Sequence, residues 1–511
     1  MSGATAVLLS ATPPGPPPLG RTVAEGRGVR LPPGPDRNQP CRCGSGWKYK
    51  RCCLAGDQVV RRHETAAALP AWLLTSPARL HQFEKYICQV FAWPDALAGL
   101  TDQRRAPVIP TFDVVNSLFH TAVLRIPSLN ALEGDLKEPD FQRLIGRRPT
   151  PTVKAFSADV VANVLDKLDL ARLTATLEEV VWRAERNKAF REGSYGALRC
   201  VALDGWEPGA SYDRHCPDCL VRQVRRKRSD GTIEEVAQYY HTYVVAMLLG
   251  PVLDIVLAVE PVRPDEARRD AEGAHVGHEG ELTAGRRLID RLHQTYGPFI
   301  DAFVLDALYA NGPVMSQLEG HGYGGFLVLK KDDNEPLKEA LALWQGQPPC
   351  ETCEGPVAKE HVAFWDVDEI ATLDTYPGQA RVIRAVITKA DQPPRTWCFG
   401  IIGRRARRVS RRTALQIVRS RWHIEDTGFN QWIQYWHLGH VFRHTPNAVM
   451  AVLLVWLIAF NLLQLFVYRR LGRPRRPTDP TDTIRHLVEV MLRDLATLPA
   501  PIPWAALLDT G

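Results

Sequence analysis

The chain reads as an α/β protein built on a mixed sheet flanked by helices, with a β-rich insertion, a helical N-terminal region and a small cysteine module. Three observations predict this. Two short apolar runs, 198–203 and 299–305, each end in an aspartate, Asp204 and Asp306, as buried strands with a carboxylate at the C-terminal end would. Two more strand-like runs and a helix-periodic run lie between them. A long stretch after them is rich in β-branched and aromatic residues, followed by a helical pattern carrying Glu425.

Length and composition set the frame. At 511 residues the chain exceeds one ordinary hydrophobic core, so two to four structural units are expected. With 45% hydrophobic and 23% charged residues it has the make-up of a globular protein. The net charge of +6 is too small to argue for nucleic acid by itself. Its distribution says more. Arg404, Arg405, Arg407, Arg408, Arg411 and Arg412 fall in one stretch and Arg222, Arg225, Arg226, Lys227 and Arg228 in another. Either run suits a phosphate backbone or a solvated face.

Eleven cysteines, eight of them in close pairs, do not form a disulfide framework in so long a chain, so a reducing, cytoplasmic setting is expected. Residues 1–20 lack a basic start and are broken by prolines, which argues against a secretory leader. The run 448–468 is long and apolar enough to cross a bilayer. Asn461 and Gln464 within it favour a core helix, with no stable membrane association.

Element by element, residues 1–36 are a Pro/Gly-rich leader expected to be disordered, and 37–57 form the cysteine module. Residues 58–195 read as helices, with Leu165, Leu168, Leu170, Leu173 and Leu177 near helical spacing. The first part of the core spans 196–331. In it, runs 240–249 and 253–262 flank Gly250-Pro251 and predict an antiparallel hairpin. Leu282, Leu288, Ile289 and Leu292 mark a helix face that stops near Gly297-Pro298. A short helix after Asn311-Gly312-Pro313 and a strand at 326–329 complete it. The insertion spans 332–403, with strands near 380–387 and 396–402. The second core part, 404–470, opens with one helix over 413–435, and 471–511 is a tail. The order strand, strand, strand, helix, strand, helix, strand matches a ribonuclease H-like core.

Taken singly, Asp204 could begin an Asp-Gly turn, Asp306 could cap a helix and Glu425 could be a surface carboxylate. Together, in this order, they could supply oxygen ligands to hard divalent ions for phosphodiester chemistry. The blocks around them resemble the DDE transposases of bacterial insertion sequences, in the branch with a β-rich insertion before the glutamate. The resemblance rests on Val201-Ala-Leu-Asp204-Gly205, on Cys216-Pro-Asp-Cys219-Leu with Tyr239-Tyr-His241, and on Leu305-Asp306-Ala-Leu-Tyr-Ala-Asn311. Arg421-Trp-His-Ile-Glu425-Asp-Thr-Gly-Phe-Asn430, His440-Val-Phe442 and Ala459-Phe-Asn-Leu462 extend it, so that it covers roughly residues 195–470.

The resemblance implies metal-dependent cleavage at the element's ends, then attack of the freed 3′-hydroxyl on target DNA. It implies Asp204, Asp306 and Glu425 as catalytic ligands of two magnesium or manganese ions. Arg421, four residues before Glu425, would hold a DNA phosphate or orient the carboxylate. Arg419, Arg411 and Arg412 are further expected DNA contacts. Transposon ends and target DNA are the expected partners, with a homodimer in the DNA complex. The family often carries a tyrosine seven residues before the glutamate and a lysine seven after it, where this chain has Val418 and Trp432. Two other readings remain: a ribonuclease H-like nuclease that cuts without joining, and a domesticated, non-catalytic zinc- and DNA-binding derivative.

Cys41, Cys43, Cys52 and Cys53, with glycines and basic residues between, resemble a SEC-C motif. Four thiolates would close a structural zinc site. Cys216 and Cys219 form a second pair and Cys350 and Cys353 a third. These last four either share a second zinc or belong to two unrelated turns.

Overall fold

The computed structural model describes residues 69–147, 155–190, 197–228, 231–265, 277–330, 334–355, 360–474 apart from 374 and 391, and 479–504, with isolated positions 38, 39, 48, 195 and 507. The chain divides into two units, Met1–Glu64 and Thr65–Gly511. The expected leader and Cys41, Cys43, Cys52 and Cys53 lie outside the described residues.

The second unit starts with helices, among them α1 (Arg79–Phe91), α2 (Thr111–Val123) and α3 (Leu170–Arg186). α3 shows how the sequence makes them. Asp169 caps it by accepting from the Arg172 N–H, and Leu173, Thr176, Leu177, Val180, Val181 and Ala184 form one buried stripe at three- and four-residue spacing.

The chain then builds β1 (Cys200–Trp206), a three-stranded side sheet of β2 (Ala210–Ser211), β3 (Leu220–Lys227) and β4 (Ile233–Tyr240), and the hairpin β5 (Tyr243–Leu249) and β6 (Ile255–Pro261). After α4 (Glu281–Tyr296) come β7 (Ala302–Leu305), α5 (Gly312–Gly320), β8 (Gly324–Val328) and α6 (Glu335–Leu343). Four more strands follow: β9 (Glu351–Glu354), β10 (Glu360–Ile370), β11 (Ala380–Lys389) and β12 (Gln392–Ile402). The main sheet has nine strands in the order β6-β5-β1-β7-β8-β12-β11-β10-β9. β1, β7 and β8 run parallel and the other neighbours antiparallel, so this is a large mixed sheet flanked by helices. The predicted hairpin about Gly250-Pro251 is β5–β6.

The segment expected as an insertion, 332–403, adds its strands to the main sheet through the β8–β12 pairing and does not form a sheet of its own. One hydrophobic core runs from Leu69 to Leu507, so the described helices between 69 and 190 share it with the sheet. The segment 471–511 is more than a tail. It carries a helix, Ile484–Asp494, whose Leu487, Val488 and Met491 are buried, and Asp494 accepts from the Leu80 N–H of α1 at 3.1 Å.

The glutamate region departs most from its expected form. One helix over 413–435 is replaced by α7 (Arg411–Ser420), a π-helical turn at Ile424–Phe429 and α8 (Asn430–Gln434). Wide turns of this kind recur at functional sites, because they turn side chains that a regular helix would misdirect.

α9 (Pro446–Gln464) follows, apolar on every side and buried along nearly its whole length. It packs between α2 and α3 and against β6, the edge strand. Asn461 accounts for the polar residue in its middle. Its amide donates to the Val256 carbonyl at 2.8 Å and its oxygen accepts from the Val256 N–H at 2.9 Å, so the side chain completes the edge as another strand would.

Candidate active site

Strand register sets the site. β1 and β7 are parallel neighbours with Ala202 opposite Val304. Two residues further along each chain stand Asp204, still within β1, and Asp306, the residue that follows the last position of β7. Asp204 lies within β1, which runs on to Trp206, so Asp204-Gly205 is not a turn. Asp306 does cap a short 3₁₀ turn, accepting from the Leu308 N–H at 2.9 Å.

Glu425 reaches the same place from the π-helical turn. Arg421 joins it to the first aspartate: Nη1 donates to Asp204 Oδ2 at 2.7 Å and Nη2 to Glu425 Oε1 at 3.1 Å. Arg421 is itself mostly buried, at 11% exposure, so the guanidinium is a fixed brace and not a mobile surface charge. Asp204 and Glu425 are joined through this cation rather than directly.

A fourth carboxylate belongs to the group. Glu281, the first residue of α4, accepts from the Tyr309 hydroxyl at 3.1 Å. It lies so close to β1 that a Cβ at Gly205 would collide with its carboxylate. Gly285, one turn along α4, is needed for the same reason, since a Cβ there would strike the Tyr309 ring. The sequence hid Glu281, which reads as an ordinary acidic helix start.

The electrostatics follow from this crowding. Burial first, then Glu281, Glu425 and Asp306, push the Asp204 carboxyl up to about 6 even though Arg421 pulls it down. Burial and the nearby Asp306 also raise Glu281, against the Tyr309 hydrogen bond. Burial and the neighbouring carboxylates raise the Tyr309 phenol far above its usual range, so it remains a donor. Four carboxylates thus face one guanidinium, a place that attracts further positive charge.

The arginines expected to meet DNA are engaged within the chain. Arg411 pairs with Glu351 at 3.2 Å and Asp366 at 2.7 Å, Arg412 with Glu351 at 2.9 Å, and Arg419 with Glu360 at 3.1 Å. On β3, Arg222 pairs with Glu207 and Arg225 with Glu235, and Arg228 just after it pairs with Glu234. Trp432 is fully buried against Trp206, Phe429 and Phe460, and Val418 is buried in the core.

The two cysteine pairs within this unit are kept apart. Cys353 sits on β9, the edge of the main sheet opposite β6, and pairs with Val362. Cys216 and Cys219 precede β3 at the other side, and their neighbours are His241 and His444. A zinc shared by all four cysteines is therefore not what the fold assembles, because most of the nine strands separate β9 from β5.

Fold and site together define a mixed α/β protein with a cluster of carboxylates about the parallel strands β1 and β7. The SEC-C motif, a zinc-binding motif, matches residues 37–55. No curated protein matches the sequence. Among solved structures, a piggyBac transposase synaptic complex with hairpin DNA is distantly similar, at 13% identity and a TM-score of 0.36, covering 85% of this chain and 84% of that chain.

Proposed function

We propose that the chain is a DDE transposase with a ribonuclease H-like core, cleaving DNA at the ends of an insertion sequence and joining the freed ends to target DNA. The observation that carries this is the placement of Asp204 on β1 and of Asp306 just past its parallel neighbour β7, with Glu425 braced to Asp204 by Arg421. The expected blocks in the expected order support it.

The residues fit divalent magnesium or manganese. They offer hard oxygen donors, and the burial and neighbouring carboxylates that raise the Asp204 carboxyl disfavour its charge, a cost that a bound cation would relieve. Asp204, Asp306 and Glu425 would hold the ions, with Glu281 beside them. Bound there, the metal supplies Lewis-acid activation of the attacking hydroxyl and neutralises charge on the leaving oxygen.

The chain's own residues do the rest. Asp204 and Asp306 are fixed by strand register and the 3₁₀ cap, so the oxygens need little reorganisation. Arg421 balances Asp204 and Glu425 at rest and holds Glu425 in its rotamer. Exposed Trp422, next to the brace, offers a face on which an unpaired base can stack.

A duplex bearing the inverted repeats that flank the gene, incubated with the protein, Mg²⁺ and a target plasmid, tests this. Cleaved ends and covalent joining are expected. The rate should fall as pH drops below about 6, because the proton held on Asp204 competes with the metal. The sign is that of a raised carboxyl: protonation favours the metal-free protein, and deprotonation favours loading. Cleavage without joining would make the protein a nuclease and overturn the strand-transfer part of the reading.

A further inference from the structure

Outside the carboxylate cluster, four side chains turn their ligating atoms toward one another. Cys216 Sγ and Cys219 Sγ are 3.6 Å apart, and His241 Nε2 lies 3.4 Å from each. His444 Nε2 is 3.2 Å from Cys219 Sγ, and all four atoms lie within 4.8 Å of one another. A disulfide would need sulfurs about 2.05 Å apart. A tetrahedral zinc ion, with Zn–S near 2.3 Å and Zn–N near 2.0–2.1 Å, sets its ligands roughly 3.3–3.8 Å apart. Four of the six separations, 3.2 to 3.6 Å, lie close to the edges of that tetrahedron, and the other two are within 4.8 Å.

The local backbone agrees. The Cys219 N–H donates to the Cys216 carbonyl at 3.1 Å, closing a tight turn, and the Cys216 N–H points at Cys219 Sγ at 3.2 Å, as suits a thiolate. Both cysteines are buried. Two thiolates and two neutral imidazoles bring a divalent ion to zero net charge, which such a position requires.

The geometry points to a closed, structural zinc site formed by Cys216, Cys219, His241 and His444. With all four positions filled by protein, no ligand position is open to substrate. Its role lies in what it joins. Cys216 and Cys219 lead into β3, His241 links β4 to β5, and His444 precedes Thr445, the N-cap of α9. β5 pairs with β1 at Asp204, opposite Val245. The ion therefore fastens the strap running from Glu425 to α9 onto the strand pair that carries Asp204. This assignment does not depend on the proposed reaction.

Zinc analysis of the full-length protein tests the site. Cys216→Ser and His444→Ala should each lose one zinc per chain, and Cys350→Ser should lose none. A full-length Cys52→Ser/Cys53→Ser variant, with the N-terminal cysteine module disabled, should still take up cobalt with the visible spectrum of a tetrahedral ion bound by two thiolates. Chelation should raise amide exchange across 437–445. Zinc content untouched by both Cys216→Ser and His444→Ala, a Cys216–Cys219 disulfide in the fresh protein, or no tetrahedral cobalt spectrum in the module-disabled chain would overturn it.

Discussion

Asp204→Asn, Asp306→Asn and Glu425→Gln should each reduce end cleavage by about 10³-fold or more, while DNA binding changes little. Each amide keeps the shape of the side chain and removes a charge that the site needs for metal, and preorganised charge of this kind supplies much of the rate in phosphoryl transfer. Binding should persist because it rests on phosphate contacts spread over a larger surface. The site predicts a second readout. Asp204 is held partly against its own ionisation by burial and by Glu281, Glu425 and Asp306. Replacing it with a neutral group should therefore leave thermal stability unchanged or raised, as is common where function is built on strain. Loss of cleavage together with a clear loss of stability would make Asp204 a structural residue.

Asn461→Leu should destabilise the protein by about 2–4 kcal/mol, the cost of leaving two buried backbone groups without partners. The side chain satisfies both the N–H and the carbonyl of Val256 on the edge strand of the main sheet. Leucine has similar bulk, so the loss is of hydrogen bonds and not of packing. The midpoint of urea unfolding should fall with the slope unchanged. A shift worth less than about 0.5 kcal/mol would mean that the sheet edge finds other partners.

The sequence revealed what local pattern encodes. The strands that carry Asp204 and lead into Asp306 stand out because buried strands read as apolar runs, although β1 runs on past Asp204 to Trp206, and the turn at Gly250-Pro251 announces the hairpin. The buried helix at 446–464 was visible as the apolar run 448–468, which holds Asn461 and Gln464. Long-range pairing was not visible. Glu281 reaches the site only because α4 begins beside Gly205, and His444 meets Cys219 across 225 positions. Nothing local told a partnered arginine from a free one, so Arg411, Arg412 and Arg419 looked available while Glu351, Asp366 and Glu360 stood far off in the chain. Helical periodicity near Glu425 masked the π-helical turn, since one residue of widening leaves the apolar pattern nearly intact.

The most direct test of the account is a crystal of the protein soaked in Mn²⁺, with the ions located by anomalous scattering. Manganese bound by Asp204, Asp306 and Glu425 is the predicted result. Manganese absent from these carboxylates, in protein that still cleaves DNA ends, would contradict it.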